Sequence, residues 1–363
     1  MLSAKNKRKL SQIVPFGLIS LFFGLSFTLV EQGIMGDATH YPSTGNPYYF
    51  SPWTAALFSG VAGLLIGTLE VNYLNRFFSN RSYATKILIK TIIYLLLIAT
   101  FVFLVSLFEH SIDQKAAPWN KLVLGYATNF FRSFAFWSIE IFMGIGIGFA
   151  LFYNEVSDNI GQSVLLNFFS GKYHNPIEEE RIFMFLDMKD STTIAEELGH
   201  IKYFELLKQY YADLTDSIVQ YEGQIYQYVG DEVVVTWPRS KDLADNACIH
   251  CFFHMKTRFE ELKDQYTQLY GIVPSFKAGI HMGQVTTGEI GVIKKDIVFS
   301  GDVLNTTARI QGLCNHYQAD ILASKDLIDS LEGNSLEIND IGLVDLKGRE
   351  EKIHIYSISG INE

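Results

Sequence analysis

Cysteine and proline are scarce in this sequence, 3 and 8 among 363 residues, so neither a disulfide framework nor a proline-rich linker can be built from them. Positive charge is also short, with 29 Lys/Arg against 39 Asp/Glu. The shortage is uneven. Of these, 11 basic and 7 acidic residues precede Val156, which leaves 18 against 32, about −14, for the remainder. A surface of that sign repels nucleic acid, which is not expected as a partner, yet it leaves room for a local cationic or metal-bearing pocket. No internal repeat or low-complexity tract is present.

What the sequence has in abundance is unbroken apolar stretches. Residues 14–30, 53–71, 87–108 and 134–152 are each long enough to cross a hydrocarbon core at about 1.5 Å per residue. They predict an all-α transmembrane domain over residues 1–153, bathed in membrane lipid. The first stretch, behind Lys5, Lys7, Arg8 and Lys9, also has the form of a signal-peptide core, and with or without it the chain ends on the same side. Lysine and arginine gather before the first stretch and at Arg76, Arg81 and Lys86, whereas residues 31–52 have none. This places the N-terminus and the C-terminal domain in the cytoplasm of a multi-pass protein of the inner (cell) membrane. Glu70 and Lys90 fall near the inner ends of their spans, where Lys90 can snorkel, while Glu140 lies inside the fourth and is a candidate for sensing or ion linkage. Gly144, Gly146 and Gly148 read as helix packing rather than nucleotide binding.

Residues 154–177 read as a helical signalling linker. Val156, Ile160, Val164 and Phe168 recur every four residues and predict one continuous apolar face suited to pairing with a second copy. A third domain, residues 178–363, alternates strand and helix patterns. Strands are expected at 181–188, 224–229, 232–237 and 275–282, near Ile321, and at 337–346 and 353–358; helices are expected at 191–198, 201–221, 243–269 and 303–314. Residues 283–299 read as rich in turns. The order suggests an α+β fold with helices over an antiparallel sheet. Cys248 and Cys251, with His250 and His254, sit in a helical pattern whose spacing fits core packing better than a metal site.

Asp187 ends the first strand of this domain and Asp231 sits on a hairpin turn, so two carboxylates far apart in sequence can converge at adjacent strand ends. Such a pair can hold two Mg²⁺ ions about 3.5–4 Å apart. Asn305 and Arg309 are four residues apart on one helical face, where an amide can orient a ribose and a guanidinium can meet charge growing on phosphoryl oxygens. Lys347 stands beside Gly348 near the C-terminus. Ser191 and Thr192 are possible N-caps.

Taken in order, FLDMKDST (185–192), YVGDEVVVTW (228–237), GDVLNTTARI (301–310) and LKGR (346–349) resemble the motifs of class III adenylyl/guanylyl cyclases of the bacterial membrane-anchored type, over residues 178–358. The resemblance implies a ferredoxin-like catalytic domain that works as a head-to-tail homodimer with shared active sites. Asp187, Asp231 and the Met188 carbonyl would hold two Mg²⁺, for which Mn²⁺ can substitute. The other chain would bring Asn305 to the ribose and Arg309 to the transition state, and Lys347, Ser191 and Thr192 would contact the nucleotide. The implied reaction makes 3′,5′-cyclic AMP and pyrophosphate from ATP. At the base-reading positions Gln227 and Val298 match neither the adenylyl nor the guanylyl pattern, so ATP is favoured by family frequency, followed by GTP and a pyrimidine triphosphate. Asp190 and Ser191 replace the family's usual Gly-Phe.

Rival readings are weaker. A diguanylate cyclase hairpin would need a second glycine beside Gly230, and a phosphate-binding loop would need lysine where Glu289 stands. A catalytically silent nucleotide sensor of the same fold is the alternative from another class.

Overall fold

The apolar stretches form helices α1 (Ala4–Met35), α2 (Pro52–Asn72), α3 (Tyr83–Asp113) and α5 (Phe134–Ile160), each long and apolar enough to cross a membrane, with a short amphipathic helix α4 (Lys121–Arg132) before the last. The computed structural model describes residues 3–40, 51–78, 81–239, 246–331, 336–346 and 351–361. The chain divides into one unit of Lys7–Leu166 and another containing everything from Asn167 onward.

In the first unit small residues bring helices into backbone contact. A Cβ on Gly63 of α2 would lie 2.4 Å from the Phe16 carbonyl oxygen of α1, and Gly146 of α5 accepts the Phe23 ring. Lys90 does not snorkel. It is 1% exposed and forms a short ion pair with Glu70, which is fully buried and also accepts a 2.8 Å hydrogen bond from the Tyr94 hydroxyl. Glu155 of α5 lies 3.8 Å from the same ammonium and 3.7 Å from Lys86. Two carboxylates and two ammonium groups are thus gathered among three helices, because hydrocarbon leaves a lone charge nowhere to go. Glu140 is buried at 8% exposure with no polar partner among the described residues.

The expected single face of the linker is interrupted. Gly161 has φ +94, a conformation that ends α5, and α6 (Gln162–Ser170) starts anew after it, so the repeat does not run along one continuous helix.

The second unit is a mixed sheet with strand order β2-β3-β1-β4-β6-β8-β7, and β5 paired to β4. In chain order its elements are β1 (Ile177–Met188), α7 (Ser191–Leu198), α8 (His200–Gln220), β2 (Gln224–Val229), β3 (Glu232–Pro238), α9 (Ala247–Glu261), α10 (Lys263–Tyr270), β4 (Phe276–Ile290), β5 (Asp296–Ser300), α11 (Asp302–Gly312), α12 (Cys314–Tyr317), β6 (Ile321–Ser324), α13 (Lys325–Ile328), β7 (Leu336–Val344) and β8 (Ile353–Ile361). All pairings are antiparallel except β4 with β6. The stretch 283–299 is mostly strand: β4 runs on to Ile290, because its far half pairs with the start of β1, and only 291–295 bend before the chain folds back as β5.

Alternation along β1 sorts the two faces. Ile182, Met184, Leu186 and Met188 join the main core under α8, α9 and α10, where Leu206, Tyr210, Phe252, Met255 and Phe259 pack. Phe183 and Phe185 point to the other face and meet Val234, Val285 and Val303 of α11. Asp187 shares that second face.

Cys248 and Cys251 lie in the main core, and Cys314 is buried beside α11. Burial pushes the Cys248 and Cys314 thiols up to about 12, and the Cys251 thiol is raised further still, by burial first and then by Cys248. An acid whose pKa is raised stays protonated, so at pH 8 all three remain neutral and unreactive. Ellman's reagent is expected to find almost no thiol in the native chain and all 3 after denaturation. Prompt native labelling would contradict this burial.

Candidate active site

The site is built where three strands end. In the β1–β3 ladder Asp187 pairs with Glu232, and the β2–β3 turn carries Asp231 just beyond. Gly230 makes that turn at φ +64, and the Tyr211 hydroxyl clasps it by donating to the carbonyls of Gly230 at 2.8 Å and Glu232 at 3.3 Å. The two aspartates, 44 positions apart in the chain, come within hydrogen-bonding reach of each other.

Their electrostatics are those of negative charge in excess. Burial, then repulsion from and hydrogen bonding to Asp231, raise the Asp187 carboxyl above its ordinary range, against the lowering effect of Lys277 and Gln311. Glu232, half-buried on the same face, is pushed up to about 7 by burial and then by both aspartates. A crowded set of hard oxygen donors that raises its own proton affinity is chemically fitted to divalent cations such as Mg²⁺ or Mn²⁺. Asp187 and Asp231 are oxygen donors of the kind such ions take.

Helix α11 lies across this face of the sheet. A Cβ on Gly279 of β4 would meet the Gln311 backbone nitrogen at 2.3 Å, and one on Gly283 would meet Val303 Cγ2 at 2.7 Å, so the helix rests directly on the strand backbone. Val303, Thr306, Thr307, Ile310 and Gln311 are buried beneath it, while Asn305 is exposed and Arg309 half-exposed on the outer side. Among the described residues neither Asn305 nor Arg309 has a hydrogen bond or ion pair within the chain. An arginine that only braces its own domain would have found a carboxylate.

Ser191 and Thr192 are the first residues of α7, and the capping position is Asp190, at φ 54, without a side-chain cap bond. That left-handed backbone suits the glycine usual in the resembling motif; aspartate tolerates it at some cost. Gln227 pairs with Val234 and Val298 with Gly288, and their neighbours Tyr226 and Phe299 meet with ring centroids 4.9 Å apart. Lys347 lies outside the described residues. Three participants escaped the sequence reading: Glu232, Lys277, whose Nζ is 3.4 Å from Asp187 Oδ2, and Gln311, whose Nε2 donates to the same oxygen at 3.0 Å. Only the position of Glu232 beside Asp231 was a local signal.

Comparison with known proteins is decisive for the family. The model of the adenylate and guanylate cyclase catalytic domain matches residues 174–360, just over half of the chain. The chain belongs to this cyclase family. Adenylate cyclase 2 of Rhizobium meliloti (strain 1021) is 37% identical over 210 residues, 58% of this chain and 58% of that protein. The adenylate cyclase of Anabaena cylindrica is 28% identical over 183 residues, 48% of this chain and 36% of the other. The cyclase chain therefore spans little more than half the length of the first relative and about a third of the second. A bacterial light-regulated adenylyl cyclase shares the fold, with a TM-score of 0.52 at 17% identity over 62% of this chain and 65% of that one. The resemblance drawn from the four motifs is thus borne out as a matter of family and of fold.

Proposed function

We propose that this protein is a membrane-anchored nucleotide cyclase that converts ATP into 3′,5′-cyclic AMP and pyrophosphate for intracellular signalling. One observation carries the reading: Asp187 and Asp231 converge on one face, while the side chains of Asn305 and Arg309, on the outer side of α11, have no partner among the described residues and are available to a second chain. A head-to-tail homodimer completes two sites. When bound, two divalent cations lower the pKa of the ribose 3′-hydroxyl and offset phosphate charge. Asp187, Asp231 and the Met188 carbonyl would hold them. Asn305 of the partner subunit orients the ribose, Arg309 of the partner subunit donates to the α-phosphoryl oxygens as charge builds, and Lys347 binds the outgoing phosphates. The bond from the 3′-oxygen to the α-phosphorus forms, the bond from that phosphorus to the bridging oxygen of the β-phosphate breaks, and the hydroxyl proton passes to solvent.

ATP is favoured because the relatives matched above are named adenylate cyclases. Gln227 and Val298 are the base-reading candidates, and the neutral amide of Gln227 can pair with either purine. The four apolar helices anchor the enzyme, with the Lys/Arg-rich ends and the catalytic unit on the cytoplasmic side of the cell membrane.

The test offers the purified full chain ATP, GTP, CTP and UTP separately with Mg²⁺ or Mn²⁺ and identifies products by mass. Cyclic AMP from ATP is expected. Cyclic GMP alone would overturn the base assignment, and nucleotide binding without any cyclic product would replace the enzyme by a sensor.

A further inference from the structure

We infer that Gln311 is a positioning residue through which α11 couples the two active sites of one dimer, holding its own chain's Asp187 while the same helix presents Asn305 and Arg309 to the other site. The inference rests on the shared-site, cation-binding reading above. Gln311 is 7% exposed, and its Nε2 donates to Asp187 Oδ2 at 3.0 Å, where Lys277 Nζ also approaches to 3.4 Å. With one carboxylate oxygen fixed twice, the group cannot turn freely about its last bond. The aspartate is therefore aimed before any cation arrives, as outer partners of a metal ligand generally do.

The coupling follows from helix geometry. Gln311 comes two residues after Arg309, about 200° around an α-helix, so one faces the sheet when the other faces outward. Between them there is little slack, because the last turn of α11 rests on the backbone of β4 at Gly279, and the first turn on Gly283. A small roll or slide that seats Arg309 on a nucleotide held by the partner must shift the Gln311 amide against Asp187. Conversely, a cation that fixes Asp187 fixes the pose of Arg309 for the opposite site. Neither Asn305 nor Arg309 touches Asp187 in its own chain; Gln311 is the side chain of α11 that does.

Two measurements on the full chain in detergent test this. Gln311→Met keeps the bulk beneath the helix and removes the donor, with Gln311→Ala as its truncated companion. Mn²⁺ titration followed by the electron paramagnetic resonance of the free ion is expected to show affinity weakened about 10–100-fold in both, with thermal unfolding of the methionine variant unchanged. Unaltered Mn²⁺ affinity in Gln311→Met overturns the positioning role.

The second measurement uses mixed dimers of an Asp231→Ala chain with an Arg309→Ala chain, in which one complete site takes its metal ligands from the second and its arginine from the first. Gln311→Met in the Arg309→Ala chain should raise the metal concentration needed for half-maximal rate. Placed in the Asp231→Ala chain, whose own metal site is already disabled, it should leave that concentration unchanged and lower kcat about 10-fold, through displaced Asn305 and Arg309. An unchanged kcat in this last arrangement overturns the coupling. Silence of the parent mixed dimer, without any Gln311 change, would instead overturn the shared-site reading, and the coupling with it, while the Mn²⁺ titration still judges the positioning role.

Discussion

Chains carrying Asp231→Ala or Arg309→Ala alone are expected to lose cyclic-nucleotide formation by about 10²–10³-fold or more, and the two inert chains to recover about one quarter of wild-type turnover when mixed at random. The fraction follows from counting. Half of the dimers are mixed, and each mixed dimer keeps one of its two sites whole. The size of the loss follows from what each group does. Among the described residues Arg309 has no side-chain partner, so its loss disturbs no ion pair there and removes a donor to developing phosphoryl charge. Asp231 supplies one of two converging carboxylates, and its repulsion is among the causes that raise Asp187. Removing it relieves the Asp187 carboxylate, so at neutral pH the variant should unfold no earlier than wild type. That separates lost chemistry from lost structure. Thermal unfolding beside the activity assay checks both; a destabilised Asp231→Ala chain, or a mixture that stays silent although heterodimers form, would count against the shared site.

How much of this was legible in the sequence depended on how local the cause was. Asp187 and Asp231 could be picked out because strand and turn signals are short-range, and the chain delivers both to strand ends as the patterns require. The extent of β4 could not. Gly283 and Gly288 resemble turn signals, yet one is small because Val303 of α11 presses on it and the other because Pro176 lies 3.3 Å from where its Cβ would be. Those neighbours come from elsewhere in the chain, and no window around residue 283 contains them. Gln311 and Lys277 were invisible for the same reason, since Gln311 meets Asp187 only where α11 crosses the sheet and Lys277 only because β4 pairs with β1 in that register. The linker shows the opposite error. A four-residue apolar repeat was real in the sequence, but one glycine at φ +94 breaks the helix that would have displayed it on one side.

Breaking the buried pair of the membrane unit should have the largest effect on stability. Glu70→Leu leaves the Lys90 ammonium, 1% exposed, without its counterion, and removes the acceptor of the Tyr94 hydroxyl. A buried charge stripped of its partner costs about 3–5 kcal/mol. Glu155 offers limited relief: its nearest approach to Lys90 is 3.8 Å, and it also faces Lys86 at 3.7 Å. Glu70→Leu combined with Lys90→Met removes both charges and refills the space with apolar atoms, and such exchanges are commonly neutral or stabilising. The single variant is therefore expected to unfold far earlier than the double variant in thermal or detergent denaturation of the full chain, with the double close to wild type. The comparison cancels what the two share, including the lost tyrosine bond, and isolates the orphaned ammonium. Equal losses in both variants would mean that Glu70 matters for its hydrogen bond alone. A single variant as stable as wild type would mean that Lys90 reaches water or headgroups in the membrane, the snorkelling its place near the end of a span first suggests.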